Sequence, residues 1–304
     1  MNNVIIHTPA TTANLGPGFD CLGLALDLWN KTSFTLEGSG VHIKVRGEGS
    51  GLLPPDDRNL ILRSFLRLYQ EVGTHFPEGL TIQCENHVPL GSGLGSSAVA
   101  IITGLVGANH LLGNPVGMDE ILRLAAAIEG HPDNVASALL GGLTLVISVG
   151  QGVIARNLPV APLMVVLAVP AIHLPTSTSR AALPREVPLS DAVFNIGRNA
   201  FVIEALRTGD LNLLGKVMDD RLHQPFRLRL IPGAEMVFNA AKQAGAAAVA
   251  LSGSGPSVVA FTPPEASIQQ RIGDAMVSAF EKAGVKARSM VLSLSMQGCN
   301  CSSE

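Results

Sequence analysis

The stretch at residues 88–100 reads Val-Pro-Leu-Gly-Ser-Gly-Leu-Gly-Ser-Ser-Ala-Val-Ala, with glycines at positions 91, 93 and 95 directly before a helix-forming run. Glycine has no Cβ and adopts positive φ readily, so the backbone N–H groups of such a loop can turn toward one point. The pattern therefore favours an anion site. The plainer alternative is a glycine-rich turn that holds no ligand.

The segments on either side of this loop favour the anion site. An apolar alternating run at Leu80–Cys84 predicts a strand that leads into the loop, and apolar residues at helical spacing predict a helix to about Leu112. We expect Ser96 or Ser97 to cap that helix with its hydroxyl. The N-terminal end of a helix has unpaired N–H donors and a partial positive charge, so loop and helix together suit a phosphate group.

Two common phosphate motifs do not fit the loop. A Walker-type loop needs Gly-Lys-Ser/Thr, which occurs nowhere in the chain, and the dinucleotide fingerprint needs a glycine where Ser96 stands. Residues 89–98 instead match the pattern Pro-x-x-x-Gly-Leu-Gly-Ser-Ser-Ala throughout, and so resemble the central motif of the GHMP kinases. That resemblance implies ATP as the cofactor, bound by Pro89, Leu90, Gly91, Ser92, Gly93, Leu94, Gly95, Ser96, Ser97 and Ala98.

Composition limits the class of protein. With 304 residues, 47% of them hydrophobic, the chain can form one large or two moderate globular domains. No apolar run approaches the roughly 20 residues that span a bilayer, and the start, Met-Asn-Asn-Val, lacks the features of a secretion signal. A net charge of −3 with 15% charged residues argues against a nucleic-acid surface. We therefore expect a soluble cytoplasmic protein with no membrane or nucleic-acid partner; a homodimer stays open.

The four cysteines show no paired metal spacing, and we interpret them as free thiols. Two of them, Cys299 and Cys301, lie in a polar tail that is expected to fray.

A polar turn near the start of the chain is the second motif. Asn14 and Asp20 bracket Gly16-Pro17-Gly18, a strong turn signal. From the residues alone, these two side chains either satisfy local backbone groups in a hairpin connection or hold a small polar molecule. The block resembles the first GHMP motif in the form found in homoserine kinases, Pro-Ala-Ser/Thr-x-Ala-Asn-Leu-Gly-Pro-Gly-Phe-Asp. The resemblance implies that Asn14 and Asp20 bind the amino-acid substrate.

A break between two predicted helices, Glu129-Gly-His-Pro-Asp-Asn134, is dense in polar groups. Glu129 follows an apolar turn, and a carboxylate in such a place is expected to have a Mg²⁺ ion or an arginine as partner, unless it is a solvated helix end. The segment again resembles homoserine kinases. The resemblance implies that Ser97 and Glu129 bind Mg²⁺, and that His131 and Asn134 lie near the substrate.

Arginines of the second half are candidates for binding a carboxylate, which a guanidinium can hold through two parallel hydrogen bonds. Thr176 and Arg180 are four residues apart, consistent with one helical face, and Arg227 and Arg229 follow later. Taken alone, each arginine is as readily explained as a solvated side chain. The resemblance assigns the substrate carboxylate to Arg180 and Arg227, and it makes Ser97, Glu129, Thr176 and Arg180 the catalytic candidates. Phe226 stands where the pattern commonly has tyrosine.

Two further sites follow from the same comparison. Asn59 lies in the first turn of a helix predicted from about Arg58 to Val72, where it is a local cap or a solvated polar residue or, by resemblance, touches the adenine. The loop Leu251–Ser257 is a plain hairpin turn or, by resemblance, the third GHMP motif, which lies against the first motif and helps to shape the pocket. Asp20 is the only carboxylate of the first motif, and we expect no dedicated general base.

The fold implied by the resemblance is the α+β GHMP kinase fold in two domains. Residues 1–157 would be a ribosomal-protein-S5-like α/β domain that carries the phosphate loop, and residues 158–304 a ferredoxin-like α+β domain, with a junction at 150–162. In the second domain we expect largely antiparallel strands with helices on one face. The predicted elements are strands at 3–7, 22–36, 41–49, 80–84, 163–169, 246–251, 257–262 and 285–294, and helices at 58–72, 96–112, 119–128, 190–208, 210–218, 233–243 and 264–283.

The function implied by the resemblance is ATP-dependent phosphorylation of the side-chain hydroxyl of L-homoserine, giving O-phospho-L-homoserine for threonine biosynthesis. Two alternatives stay open at this point. One is a GHMP kinase for another small alcohol, such as mevalonate or shikimate. The other is a non-catalytic ligand sensor on the same fold, although such a protein should lack part of the phosphate loop or the carboxylate of Glu129, and both are present.

Overall fold

The computed structural model describes residues 2–150 and 152–302. Within them, the strands form a seven-stranded and a four-stranded sheet. The elements up to residue 158 are β1 Asn3–Ala13, β2 Leu22–Thr35, β3 Gly40–Gly47, α1 Leu60–Val72, β4 Gly79–Asn86, α2 Ser96–Leu111, α3 Met118–Glu129, α4 Asp133–Leu140, β5 Leu143–Val149 and β6 Gly152–Leu158. Those that follow are β7 Met164–Pro170, α5 Thr176–Ala181, α6 Leu189–Thr208, α7 Leu211–Val217, α8 Gln224–Arg227, α9 Ala234–Gln243, β8 Ala248–Leu251, β9 Val258–Thr262, α10 Ala266–Lys282, β10 Ala287–Ser293 and β11 Asn300–Ser302.

The larger sheet has the strand order β11-β1-β2-β4-β3, with β5 paired to the start of β2 and β6 paired to β5. Only β3 and β4 run parallel among the described strand pairs of this sheet. Helices α1 to α4 cover one face, where Phe34, Phe65 and Ile102 are part of a continuous apolar core. The glycine loop connects β4 to α2, so the sheet and this core fix both of its ends.

β1 continues beyond His7, where the sequence predicted its end. Its register with β2 shifts between Pro9 and Ala10. Proline has no backbone N–H to donate, so a strand tolerates it best where the hydrogen-bond ladder is interrupted. The strand resumes after the shift and reaches the glycine loop, where the N–H of Thr11 donates to the carbonyl of Leu94 at 3.1 Å.

The smaller sheet is antiparallel throughout, as predicted, in the order β10-β7-β9-β8. Its two faces are both covered. Val166 and Ala168 of β7 pack with α9 and α10, whereas Val165 and Leu167 belong to a core with α6, α7 and Leu24 of β2. The prediction of helices on one face is therefore wrong, because α6 and α7 fold to the side that meets the larger sheet.

Three strands, β5, β6 and β11, and two short helices, α5 and α8, were not predicted. β5 and β6 pair antiparallel, so most of the stretch 150–162, interpreted as a junction, is a strand of the larger sheet. The sequence of β6, Gly-Val-Ile-Ala-Arg-Asn-Leu, does not alternate between apolar and polar residues, which is why its pattern gave no strand signal. α5 is a six-residue helix, too short to show a periodicity of its own.

The segment 294–302 does not fray but packs against the larger sheet. The N–H of Ser295 donates to the carbonyl of Ala25 at 3.0 Å, and that of Cys299 donates to Ala138 at 2.8 Å. β11 then pairs with β1. These contacts are made by the backbone and are independent of side-chain polarity, so the polar composition of the tail did not reveal them.

The four cysteines are free thiols, as predicted: Cys21, Cys84, Cys299 and Cys301. Burial raises the pKa of Cys84 to about 11 and that of Cys299 to about 12, so neither thiol ionises near neutral pH. Across residues 2–150 and 152–302, no helix has the combined length and apolarity that crossing a bilayer requires.

Gly93 lies where loops of the two sheets meet. Its φ is +81°, and a Cβ at this position would lie 2.3 Å from the carbonyl oxygen of Ser252. The Ser252 hydroxyl lies 2.8 Å from the carbonyl oxygen of Gly93, and the N–H of Gly253 donates to Ala13 at 2.9 Å. Backbone therefore packs directly on backbone at this point, and the end of β1, the glycine loop and the 252–257 loop form one unit.

Replacing Gly93 should therefore loosen the whole unit. Gly93→Ala should lower the free energy of unfolding by at least about 2 kcal/mol, because positive φ is strained for an L-residue and the new Cβ would collide with a carbonyl group. Gly91→Ala is the matched control: its φ is also positive, yet its Cβ would meet only the movable ring of His173, at 3.0 Å. Urea denaturation of both variants measures the difference, and equal losses would contradict this account.

Candidate active site

The glycine loop opens onto a cavity of about 280 Å³. Gly95 occupies the N-cap position of α2 in the left-handed conformation, and no side chain caps the helix. The prediction of a serine cap is therefore wrong: the residue that precedes α2 has a left-handed backbone conformation, which glycine adopts without strain and serine does not. The first-turn N–H groups of α2 are left free of side-chain partners, and the cavity is lined by Gly91, Gly93, Gly95, Ser96 and Ser97.

The other predicted loop residues face elsewhere. Leu94 and Ala98 are fully buried in the core, and Ser92 donates to the carbonyl of Pro89 at 2.8 Å. Leu90 lines a second, more apolar cavity of about 230 Å³ beside α1 and α2. The loop thus separates a polar cavity from an apolar one, and the two share Ser96 and Ser97.

Asn59 lies in the apolar cavity but is engaged as a helix cap. Its Oδ1 accepts the N–H of Ile61 at 3.0 Å, and its Nδ2 donates to the carbonyl of Pro54 at 2.9 Å. These hydrogen bonds make Asn59 the N-cap of α1, which is the simpler of its expected roles. Leu60, Val99 and Ala100 give the cavity apolar walls around it.

The end of α3 brings a carboxylate to the glycine loop. Glu129 accepts a hydrogen bond of 2.5 Å from the hydroxyl of Ser97, and its side chain is only 9% exposed. Burial raises the pKa of Glu129, an effect that the Ser97 hydrogen bond only partly offsets. A carboxylate that has lost its hydration in this way is stabilised by a cation, and the space between Glu129 and the glycine loop is where a cation would contact both.

His131 and Asn134 lie beside Glu129 and are each fixed by a partner. His131 Nδ1 is 2.8 Å from Asp133 Oδ1, and its Nε2 is 3.8 Å from Glu129 Oε1. Burial lowers the pKa of His131, but the hydrogen bond and charge of Asp133, with the charge of Glu129, outweigh it, so the pKa is raised. Asn134 accepts a hydrogen bond of 2.8 Å from the hydroxyl of Thr11.

Asp20 and Arg180 pair with each other across the mouth of the cavity. The guanidinium donates to both carboxylate oxygens, at 2.8 and 3.0 Å, and each side chain is about a third exposed. Asn14 accepts the backbone N–H of Asp20 at 2.8 Å, and both Asn14 and Asp20 have positive φ. The first-motif turn is thus strained into a shape that aims Asp20 at the second half of the chain.

Arg227 is the most deeply buried cation of the cavity, with 1% of its surface exposed. In the described part of the chain, no carboxylate lies within ion-pair distance of it, and its Nε has no hydrogen-bond partner. Burial, and then the charge of Arg180, lower the pKa of Arg227 to about 10. The other arginine candidate, Arg229, is exposed and lies over the ring of Phe226.

The second half of the chain contributes further residues to the wall of the cavity. Thr176 begins α5, and its hydroxyl lies 3.3 Å from that of Ser254, which lines the cavity from the third motif. His173 lines it from the connection between β7 and α5. Unlike Thr176, His173 was not predicted from the sequence, because its place depends on the long-range packing of this connection against Gly91, where a Cβ would lie 3.0 Å from the His173 ring.

Sequence comparison matches two described families to this chain: the GHMP kinases N terminal domain over residues 59–142 and the GHMP kinases C terminal domain over residues 202–283. The chain belongs to the GHMP kinases. The predicted family and the predicted α+β fold are thereby confirmed.

Similar proteins carry a more specific name. A homoserine kinase of Moorella thermoacetica is 48% identical over 283 residues, covering 93% of this chain and 94% of that protein. A homoserine kinase of Synechococcus sp. is 43% identical over 300 residues, covering 97% and 94%. The crystal structure of a homoserine kinase from Cytophaga hutchinsonii superposes with a TM-score of 0.87 at 34% identity, covering 99% of this chain and 98% of that one.

The Asp20–Arg180 pair of this GHMP kinase should be measurable as a coupling free energy. In a double-mutant cycle of Asp20→Asn and Arg180→Gln without ligands, we expect about 1 kcal/mol of coupling in unfolding stability, since the pair has two hydrogen bonds but is partly screened by water. The coupling should shrink as salt is added. Strictly additive single variants would show that the pair contributes nothing in solution.

Proposed function

We propose that this chain is a homoserine kinase, which transfers the γ-phosphate of ATP to the side-chain hydroxyl of L-homoserine and forms O-phospho-L-homoserine. The main support for L-homoserine as the substrate is that relatives 43–48% identical over nearly the whole chain are named homoserine kinase. The geometry of the cavity supports it independently, because it offers separate groups for a carboxylate, an ammonium and a phosphate.

The substrate groups of the cavity fit a zwitterion. Arg227 is a buried cation without an acid partner, which suits the α-carboxylate. Asp20, whose backbone N–H is held by Asn14, suits the α-ammonium. On substrate binding, the Asp20 carboxylate would release Arg180 and pair with the ammonium instead. Arg180 then becomes free to bind the carboxylate or the transferred phosphate. His131 and Asn134 are close enough to Glu129 to contact the hydroxyl end of the substrate.

The nucleotide fits across the two cavities. An adenine in the apolar cavity beside Asn59 and Leu90 would send its phosphates over Ser96 and Ser97 into the polar cavity. There the free N–H groups of α2 and the glycine loop face them. The proposed division into residues 1–157 and 158–304 places the nucleotide on the first part, while Thr176, Arg180 and Arg227 approach from the second.

Ser97 and Glu129 fit a Mg²⁺ ion. A hydroxyl and a carboxylate oxygen are ligands that this ion accepts, and among the described residues Glu129 has no lysine or arginine within ion-pair distance. Within residues 2–150 and 152–302, no group of three or more acidic, His or Cys side chains could hold a metal without help. Mg²⁺ commonly binds through one or two protein ligands plus phosphates, and when bound it neutralises charge on the transferring phosphate.

An assay of ADP release over matched alcohols tests the function. L-homoserine should be turned over best, while 4-hydroxybutanoate, without the ammonium, and 3-aminopropan-1-ol, without the carboxylate, should lose at least about a hundredfold in kcat/KM. Mevalonate and shikimate belong in the same panel. Higher turnover of either would identify a different small-alcohol kinase, and binding of homoserine without ADP release would identify a ligand sensor.

Glu129→Gln should remove the charge of the proposed metal ligand and little else. We expect kcat to fall by at least about a hundredfold with folding intact, because charge neutralisation is a main requirement of phosphoryl transfer. Glu120→Gln is a matched control, since Glu120 lies on the same helix but pairs with Arg123 on the surface. Near-normal turnover of Glu129→Gln would remove Glu129 from the site.

Asp20→Asn tests whether the enzyme uses a dedicated general base. A carboxylate held by a guanidinium, and then by the substrate ammonium, is poorly placed to accept the hydroxyl proton, so we expect direct attack by the hydroxyl. The homoserine KM should rise strongly, while kcat at saturation stays within about tenfold of the parent, since a lost base would cost about 10²–10⁴-fold. A thousandfold loss of kcat at unchanged KM would instead make Asp20 the base.

A further inference from the structure

The guanidinium of Arg227 has unusually few fixed neighbours for a fully buried group. Its Nη1 lies 3.2 Å from Nδ1 of His223 and 3.3 Å from the carbonyl oxygen of Gly253. The second contact is to a backbone carbonyl, so among the described residues the imidazole is the one side chain that accepts a hydrogen bond from this guanidinium.

The hydrogen bonds of His223 are compatible with only one form of its ring. The carbonyl oxygen of Gly16 lies 2.8 Å from Nε2, and because a carbonyl only accepts, Nε2 must carry a hydrogen. An arginine only donates, so Nδ1, which faces Arg227, must be unprotonated. Both contacts therefore require the neutral ring with its hydrogen on Nε2.

The surroundings of His223 keep it in this form. Burial lowers the pKa of His223, and the charge of Arg227 acts in the same direction, while Asp220, 3.5 Å from Nε2, acts against them. Asp220 is itself occupied: its carboxylate accepts the backbone N–H groups of Leu222, His223 and Gln224 and the amide of Asn195. It fixes the turn before α8 more than it attracts a proton to the ring.

Phe19 completes the arrangement. Its ring stacks on His223 with centroids 5.2 Å apart, and the guanidinium carbon of Arg227 lies 5.0 Å from the same centroid. The first-motif turn thus contributes a ring face from Phe19 and a carbonyl from Gly16, and both bear on residues of the second half.

We propose that His223 is a positioning residue for substrate binding: as a neutral acceptor, it transmits the position of the first-motif turn to the guanidinium of Arg227. This inference rests on the proposed function, in which Arg227 binds the carboxylate of homoserine. His223 does not itself touch the substrate. Its effect should therefore appear in the homoserine KM and not in the KM of ATP.

Two amide substitutions separate the two hydrogen bonds of the ring. His223→Asn can place an acceptor near Nδ1 but is too short to reach Gly16, whereas His223→Gln can donate near Nε2 but offers no acceptor to Arg227. We expect the homoserine KM to be about tenfold higher or more in His223→Gln than in His223→Asn, as for loss of a hydrogen bond to a charged group. The kcat values and the KM for ATP should differ little between the two.

The outcomes are distinguishable. Equal homoserine KM values in the two variants, or equal rises in the KM values of homoserine and ATP, would show a merely structural histidine and overturn the inference. A parent protein that fails to phosphorylate homoserine would overturn the proposed function, and this inference with it. An active parent with equal variants overturns the inference alone.

A measurement on the parent protein applies even if neither variant folds. The ¹⁵N shifts of the His223 ring, read at neutral pH in histidine-labelled protein, should show one protonated nitrogen at Nε2 and one bare nitrogen at Nδ1. A doubly protonated ring, or a hydrogen on Nδ1, would place two donors face to face at Arg227 and overturn the proposal.

Discussion

The close packing of three backbone loops around Gly93 is the constraint on which the site depends. The glycine loop carries the helix end that suits phosphate, the end of β1 leads into the turn with Asn14 and Asp20, and the 252–257 loop brings Ser254. None of these groups is near another in the sequence. Because the carbonyl group of Ser252 lies where a Cβ of residue 93 would stand, the loops have no room for a side chain between them.

The cavity is costly for the ligand-free protein. Burial raises the pKa of Glu129 and lowers that of Arg227, so each charged form is disfavoured by its surroundings. In the described part of the chain Glu129 and Arg227 form no ion pair with each other, whereas Asp20 and Arg180 pair at the more exposed mouth. A charged ligand of the right shape would offset the cost of burying these charges, and its binding should stabilise the protein.

Sequence reasoning worked where the signal was local. The helices α2 and α3 and the position of the glycine loop between a strand and a helix followed from the spacing of apolar residues and glycines. The predictions failed where a long-range contact decided the outcome. β1 continues beyond Pro9 because its pairing with β2 shifts register there. The N-cap of α2 is Gly95 and not a serine, because the residue before this helix has a left-handed backbone conformation. The contact of His223 with Gly16 was not predicted either, because it depends on the packing of two segments that are distant in the sequence.

The anchoring of segment 294–302 bears on how the chain is made. The larger sheet consists mainly of strands from the first half, yet the carbonyl of Ala25 and the outer edge of β1 receive their partners from residues that follow β10. A ribosome has therefore synthesised the whole second half before these groups can pair. Until then this edge of β1 lacks its partner strand, and an unpaired strand edge is a surface at which chains can misassemble.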